Sequence, residues 1–546
     1  MKKLNLDLFF GFFILIVLII LKYKALSLPY FWDGLNYMIP TIDYLYKNTL
    51  TIFLWNYNLG HPPFFFLLVG ALFKLFGDSQ IVANSVVLFF SFLTLIFTYL
   101  IGKNLFNRKI GIIASLLLLF TPIFFSYSAL LFLAMPLTAL TVMSIYFFIK
   151  DNKILYFIFG SLTVLTETTG ILLIIALTLV KIIEQKKFNK NVVYYASPIL
   201  IFLAWVISNK VYYGHFLYPV GTSLVNISIV KNLLNLMMVL KTLFFDQYRW
   251  ILTSIFFLSF IKYEDLKKVK TKRLLIYIFL SLIALILFYN ISIFTGNLNN
   301  SYPNIEDYFN IVKNFSLLFS IIFFIILVSY KKIISTMKDK KFIPLLVLLI
   351  VLILAHVLII PFAPRYLLFA FPIIYLIYAF SLERLFKSYS IYITILIILI
   401  FFLNFYGERD TIGFTLETNM EYADMIKTHQ MAASYIEDNF KDMTVLAAYP
   451  QSLELQYDFG KYVKEPIKVI TVPPFPGVTE YSKNYNLFFN STKDYSINIS
   501  EVDIYYYSKQ EYNTTNINDA VKNLNLTLLK RFEINNKVTE IYLVNK

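Results

Sequence analysis

The 546-residue sequence contains no cysteine. That absence excludes disulfides, thiolate metal centres and a cysteine nucleophile, and it leaves the redox compartment open. Charge is scarce as well, with 15% charged residues against 58% hydrophobic ones. At a mean hydropathy of +0.68 there is too little polar surface to keep the chain in water, so a soluble globular protein is excluded. Histidine occurs four times. Neither His-Glu-x-x-His nor clustered acids supply a metal signature, and a divalent metal is doubtful. Internal repeats and low-complexity segments are missing too.

What is present is a succession of apolar runs. They lie near 8–22, 80–101, 110–127, 130–149, a short pair within 154–183, then 191–208, 250–262, 274–294, 313–330, 342–361, 365–381 and 390–405. Short or tilted helices being allowed, that predicts a polytopic α-helical membrane protein of about thirteen transmembrane helices. The first run follows Lys2 and Lys3 as a signal-peptide core would. No small-residue cleavage site comes after it, so it reads as a retained first helix.

A net charge of +15 would suggest nucleic acid if the basic residues clustered on a soluble module. They sit instead in short loops, where the positive-inside rule explains them, and no nucleic-acid partner is expected. With a cytoplasmic N-terminus, the loops carrying Lys103/Arg108/Lys109, Lys150/Lys153, Lys186/Lys187/Lys190, Lys267 to Arg273, Lys331 to Lys341 and Arg384/Lys387 fall inside. The long first loop, 23–79, and the C-terminal region then lie outside. The lack of cysteine and of a retention signal leans toward a prokaryotic cell membrane.

From Glu408 the composition turns polar, which divides the chain into a membrane module, 1–407, and an extracytoplasmic α/β domain, 408–546. The patterning there predicts a helix over Tyr422 to Phe440, strands at Thr444 to Ala448, Lys468 to Val472 and Asp503 to Tyr507, and a short helix near Leu453. It adds a Pro-rich turn at Pro473 to Gly477, a helix over Asn516 to Leu524 and a closing hairpin turning at Asn535-Asn536. Some ~130 residues are enough for a core of their own. Sequons begin at Asn490, Asn498, Asn513 and Asn525, in a chain rich enough in asparagine for chance matches.

The first loop reads Phe31-Trp32-Asp33-Gly34-Leu35-Asn36-Tyr37, then an amphipathic stretch from Ile39 to Tyr46 that includes Asp43, then Gly60-His61-Pro62-Pro63 and a half-length apolar helix ending Lys74-Leu75-Phe76-Gly77. An acid, a tyrosine four residues on, a His-Pro-Pro and a Leu-Phe-Gly before the second long helix resemble the first external loop of the GT-C glycosyltransferases. The closest likeness is to family 39, the protein O-mannosyltransferases and lipid A aminoarabinose transferases. Leu165-Thr166-Glu167-Thr168-Thr169-Gly170 and Ala363-Pro364-Arg365-Tyr366-Leu367 are similar to further motifs of that superfamily, and in layout the resemblance spans about 1–405.

The resemblance implies a monosaccharide donor linked to polyprenyl or dolichyl phosphate, entering from membrane lipid, and an extracytoplasmic acceptor. It implies a single inverting displacement with Asp33 as general base. Arg365, and next His61, would meet the leaving phosphate, with Tyr37, Asp43, Glu167 and Tyr366 in support. Each has a bland alternative: Asp33 as the N-cap of a helix starting at Gly34, Asp43 as a solvated carboxylate, His61 as the dock of the Pro-Pro turn, Arg365 as a snorkelling anchor. Glu167 stands where relatives carry lysine, so it is no phosphate ligand, and an acid inside an apolar region needs a partner or a wet cavity. Relatives also carry an acid in the second external loop, where Ser128 to Pro136 has none. That departure keeps open a catalytically silent scaffold or lipid-binding partner subunit. A secondary transporter is the other alternative, but the inverted repeats expected of one are not seen.

Overall fold

Apolar side chains cannot leave backbone amides unpaired in lipid, so runs of this composition become helices. The computed structural model describes residues 6–186, 189–218, 228–261, 271–289, 313–358, 363–403, 405, 419–448, 451–472, 501–508, 521–522 and 524–545. Among them, five helical stretches are long and apolar enough to cross a membrane: Leu6–Ala25, Gln80–Leu105, Thr168–Gln185, Ser316–Met337 and Pro364–Phe402. A pair bent by 45°, Lys190–Ala196 and Pro198–Tyr213, adds a sixth, and seven apolar helices of 10–17 residues accompany them. The first helix turns Leu8, Phe9, Phe12, Ile16 and Ile20 outward, an apolar face suited to lipid. The protein is an integral membrane protein.

Two departures from the expected spans have local causes. The run at 110–127 is two helices, Arg108–Leu119 and Pro122–Tyr127, because Pro122 cannot continue the ladder. Thr121 caps the break by donating its hydroxyl to the Leu117 carbonyl at 2.8 Å. The helix Ile229–Phe244 lies where no span was expected, since Lys231, Asn232, Asn235 and Lys241 interrupt the apolar run. Its buried Met238, Val239 and Leu243 nevertheless follow a helical stripe.

By contacts the chain forms two compact units, Met1–Ser91 with Ser126–Pro136 and Met420–Lys546, and Phe92–Phe125 with Leu137–Asn419. In the second unit, a Cβ on Gly102 would stand 2.6 Å from the Gly111 Cα, so glycines let two helices touch backbone to backbone. Lys109 pairs with Glu383 at 2.8 Å.

The first unit carries a sheet of five strands, β1 Val445–Ala448, β2 Val469–Val472, β3 Ile504–Ser508, β4 Asn525–Ile534 and β5 Lys537–Asn545. Their order across the sheet is β2-β1-β3-β5-β4. β1 runs parallel to β2 and β3, and β5 runs antiparallel to β3 and β4. The central strand β1, Val-Leu-Ala-Ala, is buried along its whole length because both faces are covered, whereas β4 is largely exposed. Asn535 and Asn536, with φ of 46° and 69°, make the hairpin turn that asparagine tolerates. The Pro-rich turn, most of the 516–524 helix and the sequons at Asn490, Asn498 and Asn513 lie outside the described residues.

Beneath this sheet, on helix Glu421–Phe440, His429 is fully buried. Its Nδ1 lies 2.9 Å from Glu454 Oε1 and its Nε2 2.9 Å from Ser508 Oγ, while Tyr506 donates its hydroxyl to Glu454 Oε2 at 3.1 Å. Glu454→Ala would strand two buried donors at about 1–3 kcal/mol each. A loss of about 2–6 kcal/mol is expected, read as an earlier melt of the C-terminal residues by limited proteolysis of the full chain, whereas a loss under 1 kcal/mol would mean the network is wet.

Candidate active site

In the first unit, the chain leaves the first helix through Pro29 and Tyr30 and meets an unusual backbone. Trp32 adopts a left-handed conformation with φ 45°, which costs a bulky residue about 1–3 kcal/mol and persists only where the surroundings impose it. Asp33 follows with helical angles and opens a π-helical turn, Gly34–Met38. Such turns are rare and recur at functional sites. Asp33 makes no side-chain cap hydrogen bond, so the N-cap alternative is corrected: with φ −57° and ψ −33° its carboxylate is not placed to reach the orphan amides as an extended cap residue is. Gly34 packs closely here: a Cβ would lie 3.0 Å from the Leu131 carbonyl oxygen.

The same unit brings Tyr37 and His61 together, with ring centroids 4.8 Å apart and planes 17° from parallel. A tight turn positions the imidazole: Leu59 and Gly60 are left-handed, Asn58 donates from Nδ2 to the His61 carbonyl at 2.6 Å, and its Oδ1 accepts from Gly60 N at 3.1 Å. Asp43 is not the solvated carboxylate of the bland alternative. It pairs with Lys47 at 2.8 Å and is only 14% exposed. Burial pushes its carboxyl above the usual range, an effect the Lys47 hydrogen bond partly offsets.

The segment Ser128 to Pro136 contributes backbone to this unit. Beyond the Leu131 carbonyl beside Gly34, the Ser128 carbonyl accepts from Ser91 Oγ at 2.8 Å.

In the second unit, Arg365 and Tyr366 lie on the 3₁₀ segment Pro364–Ala370, where the guanidinium stands 5.4 Å from the Tyr366 ring centroid. Both are half-buried. Glu167 is half-buried too and caps the turn Thr168–Gly170, accepting from the Thr168 amide and hydroxyl at 3.1 Å each. Those two donors supply the partners that an acid among apolar helices requires.

Sequence reasoning passed over Arg249, which is 1% exposed. Gln247 Oε1 accepts from its Nη1 at 2.9 Å, the Thr242 carbonyl accepts from Nη2, and the Phe371 ring lies 4.9 Å away. Its Nε has no hydrogen-bond partner, and no carboxylate pairs with it among the described residues. Burying a cation without a carboxylate is costly, and here neighbouring dipoles and an aromatic face offset that cost. The sequence signal was an arginine immediately ahead of an apolar run, the placement also seen at Arg365. Among the described residues no group of three or more His, Asp or Glu side chains converges as metal ligands would.

No curated protein sequence matches the chain. Among solved structures, ArnT from Cupriavidus metallidurans bound to undecaprenyl phosphate aligns at 11% identity and a TM-score of 0.49, over 97% of each chain. An oligosaccharyltransferase from Archaeoglobus fulgidus aligns at 12% identity and 0.41, over 93% of this chain and 70% of the other. A family model described as dolichyl-phosphate-mannose-protein mannosyltransferase matches residues 60–212, an interval that includes His61 and Glu167. Over those residues the chain is similar to the dolichyl-phosphate-mannose-protein mannosyltransferases, the relatives that its loop motifs resemble.

Proposed function

We propose that this protein is an inverting membrane glycosyltransferase that takes a monosaccharide from a polyprenyl- or dolichyl-phosphate donor and passes it to an extracytoplasmic hydroxyl acceptor. The acceptor O–H gives its proton to the Asp33 carboxylate as the oxygen forms a bond to the anomeric carbon. The bond from that carbon to the phosphate oxygen breaks on the opposite side, and the lipid phosphate leaves. Arg365 takes up its growing charge, with His61 as a further partner. Such groups count for far more in a dry site than in water.

The observation that carries this reading is the backbone at Asp33. A left-handed tryptophan precedes Asp33 and a π-helical turn follows it. The family match over 60–212 supports the lipid-phosphate donor class. A second reading, a silent relative that keeps the fold and binds lipid, is favoured by the carboxylate-free segment Ser128 to Pro136.

A panel of radiolabelled polyprenyl-phosphate sugars, offered to the full-length protein in lipid with membrane acceptors, separates the two. Protein-dependent consumption of one donor is expected. Binding of donors without turnover of any would establish the silent relative.

A further inference from the structure

The turn that carries Asp33 is gripped by residues from the other end of the chain, all within the first unit. Tyr462 donates its hydroxyl to the Tyr30 carbonyl at 3.0 Å, a buried bond three residues before Asp33. Gly460 backs directly on Leu35, two residues after it, where a Cβ would stand 2.9 Å from the Leu35 Cδ1. The Tyr422 ring faces Phe31 at 6.3 Å, and its hydroxyl donates to the Ser126 carbonyl at 3.2 Å. Between these, Lys461 pairs with Asp78 at 2.6 Å, their side chains 23% and 19% exposed, more sheltered than an ordinary surface pair. Lys461 is itself left-handed, with φ 66°.

Trp32 would not hold its φ of 45° in a free loop, since the conformation is disfavoured for a bulky side chain. A strained residue survives when its neighbours over-determine it. Here the flanks of Trp32 are pinned at Tyr30, Phe31 and Leu35, in each case by a residue from beyond position 420. We infer that the segment Gly460-Lys461-Tyr462 is a positioning clamp, which imposes the left-handed step and π turn at Trp32 to Met38 and so aims the Asp33 carboxylate. The inference rests on the reading of Asp33 as the base. Gly460, Lys461 and Tyr462 touch no reacting atom, and their role is exercised through the turn.

The clamp predicts a particular split in kinetics. Loosening it misaims the base without removing donor contacts, so kcat falls while KM for the donor stays. Tyr462→Phe deletes one hydroxyl and keeps the ring, so folding is preserved; the lost bond is worth about a kcal/mol, which converts to a drop of about five- to tenfold in kcat. In the same variant, amide hydrogen exchange over 33–39, measured on the full-length protein in lipid nanodiscs, should speed by a similar factor. Lys461→Asp and Asp78→Lys should each act in the same direction, and the double variant should return both readouts toward wild type, which general structural damage would not do.

Wild-type exchange over 33–39 in all three single variants, or a double variant no better than its parents, overturns the clamp. The exchange readout is independent of chemistry. If Asp33→Asn left turnover intact, the base reading would fail, while the exchange data would still decide whether the turn is held from the C-terminal residues.

Discussion

Asp33→Asn is expected to lower sugar transfer by about a hundredfold or more, with the protein folded and donor binding retained. A general base commonly contributes about 10²–10⁴-fold, and the asparagine amide cannot accept the acceptor's proton. The substitution is nearly isosteric, and Asp33 makes no cap bond that the change could break. Asparagine also caps helices as well as aspartate does, so a helix-cap role predicts an unaffected variant. Initial rates with a saturating lipid-linked donor, normalised to folded protein, give the answer. A loss under threefold would remove Asp33 from the chemistry and leave the silent-relative reading.

Arg365→Ala is expected to give the next largest loss, about 10²–10³-fold in kcat, the usual scale for deleting one group that meets developing negative charge. Arg365→Lys should recover part of it, since the charge remains while the fork of donors and the stacking on Tyr366 are lost. A snorkelling anchor behaves differently: lysine anchors at an interface as well as arginine does, and alanine would lower the amount of inserted protein without slowing the molecules that insert. Turnover per folded molecule therefore decides. Equal turnover in wild type, Ala and Lys forms would make Arg365 an anchor.

Legibility followed the range of the interactions involved. Composition and apolar runs were enough to establish an integral membrane protein, because transfer of apolar surface is additive along the chain and needs no knowledge of partners. The C-terminal elements read well for a similar reason. Helix Glu421–Phe440, the apolar strands and the Asn535-Asn536 turn are set by neighbours a few residues away. Helix Ile229–Phe244 escaped because counting continuous apolar residues misses a stripe that polar residues interrupt.

The candidate site was legible only as a set of residue types. Asp33, Tyr37, His61 and Arg365 could be singled out from their motifs, but not the left-handed step at Trp32, the stacking of Tyr37 on His61 or the burial of Arg249. Nor could the grip of Gly460 and Tyr462 on a turn more than 400 residues earlier in the chain. Those depend on contacts between residues far apart in sequence, whose free energy is realised only once the chain has closed the loops between them. The sequence by itself determined the solvent this protein lives in and the chemical groups at its disposal. The tertiary structure decided the left-handed step at Trp32 and the π turn after Asp33, because a strained backbone exists only where packing from elsewhere outweighs its cost.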